Sequence, residues 1–225
     1  MSLRRLPTPI SILRLRGKAR RSWHPLADAA VHHAEHGHHS STGLSNNKLG
    51  MWLFLGSECL LFGGLISTYM IYRGRVGEGP RPGNVFDIPF TSVSSFVLLM
   101  SSLTMVLAVA AAQQRDDRGT TLWLTVTGLL GATFVGGQVY EFTAMYNEGL
   151  GYTTSLFGSA FYTLTGFHGV HVTVGVIMLL SLVAIIKRSN VPGDKAEVVE
   201  LVGLYWHFVD VVWIIIFTLV YLIPT

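Results

Sequence analysis

Five stretches of the chain stay apolar long enough to cross a bilayer, and polar or turn-forming residues separate them. They run from about Leu49 to Ile71, Thr91 to Ala112, Thr121 to Phe142, Leu156 to Ile186 and Val198 to Ile223. Each suffices for a hydrocarbon core about 30 Å thick. At about 1.5 Å per residue the fourth exceeds that thickness by a third or more, so it is expected to tilt or to protrude into the interface. The connections carry turn chemistry, with Gly77, Gly79, Pro80, Pro82 and Gly83 in one and Pro192 and Gly193 in another. The pattern predicts an all-α, polytopic bundle of five transmembrane helices.

Small residues recur at every fourth position in three of the spans: Thr104, Ala108 and Ala112; Gly128, Ala132 and Gly136; Thr165, Gly169 and Thr173. Such stripes let helix backbones approach closely, and faces of this kind left unused within the bundle point to lateral docking on another subunit. No pair of interrupted spans recurs in matching positions of two halves, which argues against a transporter built from inverted repeats.

Composition agrees with the span pattern. Half of the residues are hydrophobic and only 13% are charged, with a mean hydropathy of +0.46, values of an integral membrane protein rather than a soluble domain. A length of 225 residues leaves no room for a large water-soluble domain, and no nucleic-acid partner is expected. The lone Cys59 excludes an intrachain disulfide framework and a cysteine metal cage.

Residues 1–47 differ from all that follows. Arg4, Arg5, Arg14, Arg16, Lys18, Arg20 and Arg21 precede any acidic residue, and His32, His33, His36, His38 and His39 crowd the next segment. The reading is a basic, His-rich tail ahead of a membrane domain at 48–225. Its apolar residues are too few for a signal-peptide core; a mitochondrial transit peptide and a cytoplasmic anchor both suit an Arg-rich, acid-free start, the anchor being the simpler account. The His cluster suits either a solvated linker or a metal. Thirteen of the sixteen Lys and Arg residues fall on one side of a five-span chain, and only Arg73, Arg75 and Arg81 fall on the other. The N-terminus is therefore expected in the cytoplasm and Thr225 on the opposite face.

The candidate chemistry lies inside the spans. His207 and Asp210, at i and i+3, share one helix face in the middle of the last span. An ionisable side chain at mid-bilayer costs about 2.5–3.5 kcal/mol on insertion scales, so each needs a partner. Either the two form an internally satisfied pair that locks helices together, or they handle protons or contact a ligand. Glu58 in the first span and His168 and His171 in the fourth are expected at the same depth. Gln138 and Glu141 form a further i, i+3 pair, toward the outer end of the third span, as a structural polar pair. Neither His-x-x-His nor His-x-x-Asp completes a di-iron site, which wants two Glu-x-x-His pairs and two further carboxylates. His168 and His171, on one helix face, cannot ligate opposite faces of one haem. No metal ligand and no catalytic residue is therefore assigned.

The strings Gly166-Phe167-His168-Gly169-Val170-His171-Val172 and Tyr205-Trp206-His207-Phe208-Val209-Asp210-Val211-Val212-Trp213, in that order, resemble the signature of subunit III of haem–copper terminal oxidases. Ser57-Glu58 resembles the family's membrane-embedded carboxylate known for its reaction with carbodiimide, and Gln138 and Glu141 resemble its Gln and Glu near the end of the matching helix. The resemblance covers roughly residues 46–225. It implies an accessory core subunit of a proton-pumping cytochrome c oxidase in a bacterial cell membrane. Such a subunit binds no haem or copper of its own, packs against the catalytic subunit I and subunit II, and holds structural phospholipids. It also supports proton supply to the oxygen-reducing centre, and membership of a larger respiratory supercomplex is compatible with it. Five spans in place of the seven typical of mitochondria mean that cleft residues of the two missing helices have no counterpart. A subunit of a quinol oxidase or of a nitric-oxide-reductase-associated complex carries much the same helices. A stand-alone proton or ion transporter using Glu58, His207 and Asp210 is the alternative of another class. For Glu58 the expectation is a proton-exchanging carboxyl, with a purely structural hydrogen bond to a neighbouring helix as the alternative.

Overall fold

The computed structural model describes residues 45–75, 86–188 and 195–223. The basic and His-rich segment, the Gly/Pro-rich residues 77–83, Pro192, Gly193 and Thr225 lie outside the described residues. Five helices follow in order: α1 Asn46–Tyr72, α2 Ile88–Gln113, α3 Asp117–Asn147, α4 Leu156–Lys187 and α5 Lys195–Phe217, the last running into a π-helical turn at Thr218–Leu222. All five are long and apolar enough to cross a membrane, and no strand occurs among the described residues. The chain is a multi-pass, all-α membrane protein. At 32 residues α4 is the longest, as its apolar run foretold.

Short polar residues start four of the helices. Ser45 accepts from the Lys48 amide, Asp87 from Phe90, Asp116 from Arg118 and Gly119, and Ser155 from Gly158, each satisfying amides that have no carbonyl within their own helix. The α2–α3 hairpin turns within Gln114–Asp116. There the Asp116 amide donates to Ala111 O and the Arg115 amide to Ala112 O, both at 3.0 Å, closing α2 with the crossed bonds usual around a left-handed residue. That residue is Arg115, at φ 58°, where a Cβ costs about 1–2 kcal/mol. The matching turn after α3 uses Gly149, at φ 90°, without that cost.

Helices α2, α3, α4 and α5 close a four-membered ring, each packing on its two neighbours, while α1 lies outside the ring against α4 and α5. Along α5, Val199, Gly203, Trp206, Asp210 and Trp213 point into the ring and are buried, the 3–4 residue spacing of one helix face. Trp206 is the wedge. Its indole N–H donates to Ser101 Oγ of α2 at 3.0 Å, and its ring fills the space above Gly131 of α3 and Gly175 of α4. A Cβ at Gly131 would overlap the indole, and one at Gly175 would lie 2.8 Å from it. One layer further along, Trp213 donates to Ser95 Oγ at 2.9 Å.

The small-residue stripes are only partly the packing surfaces. In α2, Ala108 and Ala112 are buried, and Thr104 bonds Thr127 of α3 at 2.8 Å. In α3 the packed positions are Gly128 and Gly131, whereas Ala132 and Gly136 are exposed. In α4, Thr165 is buried and Thr173 is exposed, while Gly169 admits Gln138 of α3. A strict four-residue repeat drifts around a 3.6-residue helix, so it leaves the contact line after two turns.

The end of the bundle holding Lys48, the α2–α3 turn and Lys195 is tied by charge. Lys48 pairs with Glu200 at 2.9 Å and Lys195 with Asp117 at 3.0 Å, and Ser45 Oγ donates to the Glu197 carboxylate. Exposed pairs of this kind contribute at most about 1 kcal/mol each. They gather Lys48, Arg115, Arg118, Lys187, Arg188 and Lys195 into one basic end.

Candidate functional site

Four of the five ionisable residues singled out in the spans separate into two groups on different sides of α5, and His168 stands apart from both. Between α1 and α4, Glu58 Oε2 lies 3.1 Å from His171 Nε2. Both side chains are largely withdrawn from the surface, at 13% and 14% exposure. The other imidazole nitrogen, Nδ1, lies 2.7 Å from Phe167 O. A carbonyl only accepts, so Nδ1 carries the hydrogen in that bond. The Nε2···Oε2 contact then holds a single proton, on the carboxyl or on the imidazole, and the pair is neutral overall in both states. Phe62 sets its ring edge-on to His171 at 5.0 Å, and the Tyr205 hydroxyl donates to His171 O at 3.0 Å, so the pair is walled from α1 and α5.

On the α2 side, His207 Nδ1 lies 2.6 Å from Ser102 Oγ. Asp210, 3% exposed, has no hydrogen-bond partner on either oxygen; Ser102 lies beside it but is engaged with His207. The internally satisfied His207–Asp210 pair is therefore not formed. Its members share a face of α5, but a hydroxyl from the neighbouring helix reaches the imidazole in place of the carboxyl one turn on.

His168 joins neither group. It is fully buried and neither ring nitrogen has a hydrogen-bond partner. Its ring stacks on Trp213 at 4.8 Å and meets the edge of Phe134 at 6.0 Å. Within the bundle it acts as an aromatic plate between α3, α4 and α5.

Gln138 and Glu141 also part company. Gln138 Nε2 donates to Thr165 O of α4 at 2.7 Å, using the space left by Gly169. Glu141 Oε1 lies 2.7 Å from Thr91 Oγ1 in the first turn of α2, where the helix dipole favours negative charge. The two pin α3 to α4 and to α2 respectively. Among the described residues no three His, Cys, Asp or Glu side chains gather in a way that would hold a metal ion.

Several partners were missed in the sequence. Thr91, Ser95, Ser101 and Ser102 of α2 bond Glu141, Trp213, Trp206 and His207. The signal was present as a hydroxyl-bearing face of α2 at 95 and 101–102, facing the one span that carries two tryptophans, a histidine and an aspartate, with Thr91 turned to Glu141 of α3.

A sequence model of a protein family described as cytochrome c oxidase subunit III matches residues 12–224. The chain is 42% identical to cytochrome c oxidase subunit 3 of Bacillus sp. (strain PS3) over 177 residues, 79% of this chain and 86% of that one. It is 38% identical to quinol oxidase subunit 3 of Bacillus subtilis (strain 168) over 199 residues, 85% and 97% of the two chains. The cytochrome bo(3) ubiquinol oxidase subunit 3 of Pseudomonas aeruginosa is also 38% identical, over 88% of this chain and 94% of its own.

Proposed function

This chain belongs to the cytochrome c oxidase subunit III family, and on that premise we propose that it is the accessory membrane subunit of a proton-pumping cytochrome c oxidase. In this reading subunits I and II carry the haem and copper, and this chain carries no redox centre. It packs laterally on subunit I, holds phospholipid, and helps to supply protons to the centre that reduces oxygen to water. The basic end faces the cytoplasm, by the excess of Lys and Arg there.

The observation that carries the proton role is the Glu58–His171 pair. It sits in the middle of the spans, is only partly closed off, and shares one proton between two sites. A carboxyl that can pass its proton to an imidazole without creating net charge avoids most of the penalty of an isolated ion at that depth. Glu58→Gln keeps a donor and an acceptor, so assembly is expected to survive, whereas carbodiimide labelling of this chain is expected to vanish. Infrared difference spectra between oxidised and reduced enzyme give the deciding result. A Glu58-dependent carboxyl band that never changes with redox state would leave that residue a structural role only.

The electron donor is a separate question, because relatives bear both names. Quinol oxidase subunits from Bacillus subtilis and Pseudomonas aeruginosa cover the chain about as fully as the cytochrome c oxidase relative does, and they favour a second reading as a quinol oxidase subunit. An optical spectrum of the complex purified with its native partners separates the two. Haem A with a bound copper couple selects the cytochrome c oxidase; haem O or B selects the quinol oxidase. A chain that purifies with no chromophore would instead favour a stand-alone transporter.

A further inference from the structure

The second polar group faces a different side of the bundle. Between α2 and α5 runs a groove of about 310 Å³, lined by Val106, Ala110, Gln113, Glu200, Leu204 and His207. Glu200 stands at its basic-end mouth, ion-paired with Lys48, and His207 at its inner end. Glu200, Gly203, His207 and Asp210 follow one another on a single face of α5. At about 1.5 Å per residue, His207 lies about 10 Å along the axis from Glu200, and Asp210 about 5 Å further.

Ser102 completes the line. Its hydroxyl is 2.6 Å from His207 Nδ1 and lies beside Asp210. Asp210 is closed in between the Trp206 and Trp213 layers, 3% exposed and with no hydrogen-bond donor on either oxygen. In such surroundings a carboxylic acid that keeps its hydrogen is far less costly than an unpaired carboxylate.

We propose that Asp210 is an internal proton store, filled from the basic end of the bundle through the α2–α5 groove, with His207 and Ser102 as the relay. A proton arriving in the groove adds to His207 Nε2. Nδ1 then gives its hydrogen to Ser102 Oγ, and the hydroxyl's own hydrogen passes to the Asp210 carboxylate. Rotation of the Ser102 hydroxyl and return of the imidazole to its first tautomer reset the path. One proton enters and one is stored; the same steps run in reverse empty the store to a transient carboxylate, so each exchange at Asp210 releases one hydrogen and takes up one, and no electrons move. The route shares no residue with the Glu58–His171 pair, so either reading can fail while the other stands.

The test uses the intact oxidase containing the full chain, transferred from H2O to D2O while the carboxylic-acid stretch is followed by infrared spectroscopy. The bands of the two acids are assigned by their loss in Asp210→Asn and in Glu58→Gln. Ser102→Ala removes the relay hydroxyl, and Ala110→Phe fills the groove from its rim. Both are expected to slow deuterium exchange at Asp210 tenfold or more while leaving exchange at Glu58 unchanged. The proposal is overturned if no acid band depends on Asp210, if its exchange rate is the same in the wild type and both variants, or if the two acids slow together.

Discussion

Helices α1 and α5 are both apolar enough to span a membrane, yet only 11% of the α1 span is buried inside the protein against 44% for α5. Apolar character therefore does not tell a core helix from a peripheral one. What separates them is where glycine and hydroxyl groups find a partner. On the α5 side, Gly131 and Gly175 are filled by Trp206, whose N–H ends on Ser101. On α1, Gly56, Gly63 and Gly64 meet nothing within 4 Å among the described residues. The Ser57, Ser67 and Thr68 hydroxyls bond only carbonyls of their own helix. The Trp206 layer of the α2–α5 ring is thus closed by its own neighbours, whereas α1 leaves most of its surface exposed.

The sharpest way to break this contrast is to treat the glycines of both regions alike. Gly131→Leu drives a branched side chain into the Trp206 ring; overpacking of this kind costs about 1–3 kcal/mol and occasionally more. We expect the chain to fall below detectable levels in membranes, and wild-type accumulation would mean that Trp206 has somewhere else to go. Next in size is Ser101→Ala, which strands a buried indole N–H at about 1–3 kcal/mol. It should lower the melting temperature of the detergent-solubilised complex while leaving carbodiimide labelling of Glu58 intact. Glu58→Gln, at the α1 seam, should move the same melting temperature by the equivalent of less than about 1 kcal/mol, because one hydrogen bond is exchanged for another. The smallest effect belongs to Gly64→Ala, where open space lets helix propensity act, stabilising by about 0.5–1 kcal/mol. A marked loss of copurifying catalytic subunit in that variant would show a partner packed closely on the face.

Much of the architecture was readable from the chain, since five apolar runs separated by turn residues became five helices with ends within a few residues of those expected. The partners were not. His207 and Asp210 stood out as costly in a bilayer, and their i, i+3 spacing suited either a pair that satisfied itself or one that handled protons or met a ligand. In the structure Ser102 intervenes on one of them. A serine in an apolar helix gives little warning, because its hydroxyl can bond a carbonyl of the preceding turn without tertiary help, as Ser92 does with Ile88 O. Which hydroxyls leave that local bond depends on which helices become neighbours, and that ordering is not contained in hydropathy. The turn at Arg115 was hidden for a similar reason. Its backbone conformation usually signals glycine, so nothing in Gln114-Arg115-Asp116 announced a reversal as tight as the one at Gly149.

The Trp206 wedge also sets a timetable for biosynthesis. Chains emerge from the ribosome N-terminus first, at about 5–20 residues per second. Gly131 and Gly175 therefore enter the membrane seconds before the residue that fills them. Throughout that interval the surfaces of α2, α3 and α4 that the two indoles later cover lack that cover. Only α5 supplies the two tryptophans that cover them. A nascent chain that stalls before Trp206 thus leaves Gly131, Gly175 and the acceptor side of Ser101 uncovered before the insertion machinery and membrane proteases, and synthesis of α5 becomes the checkpoint at which a closed bundle is told from an open one.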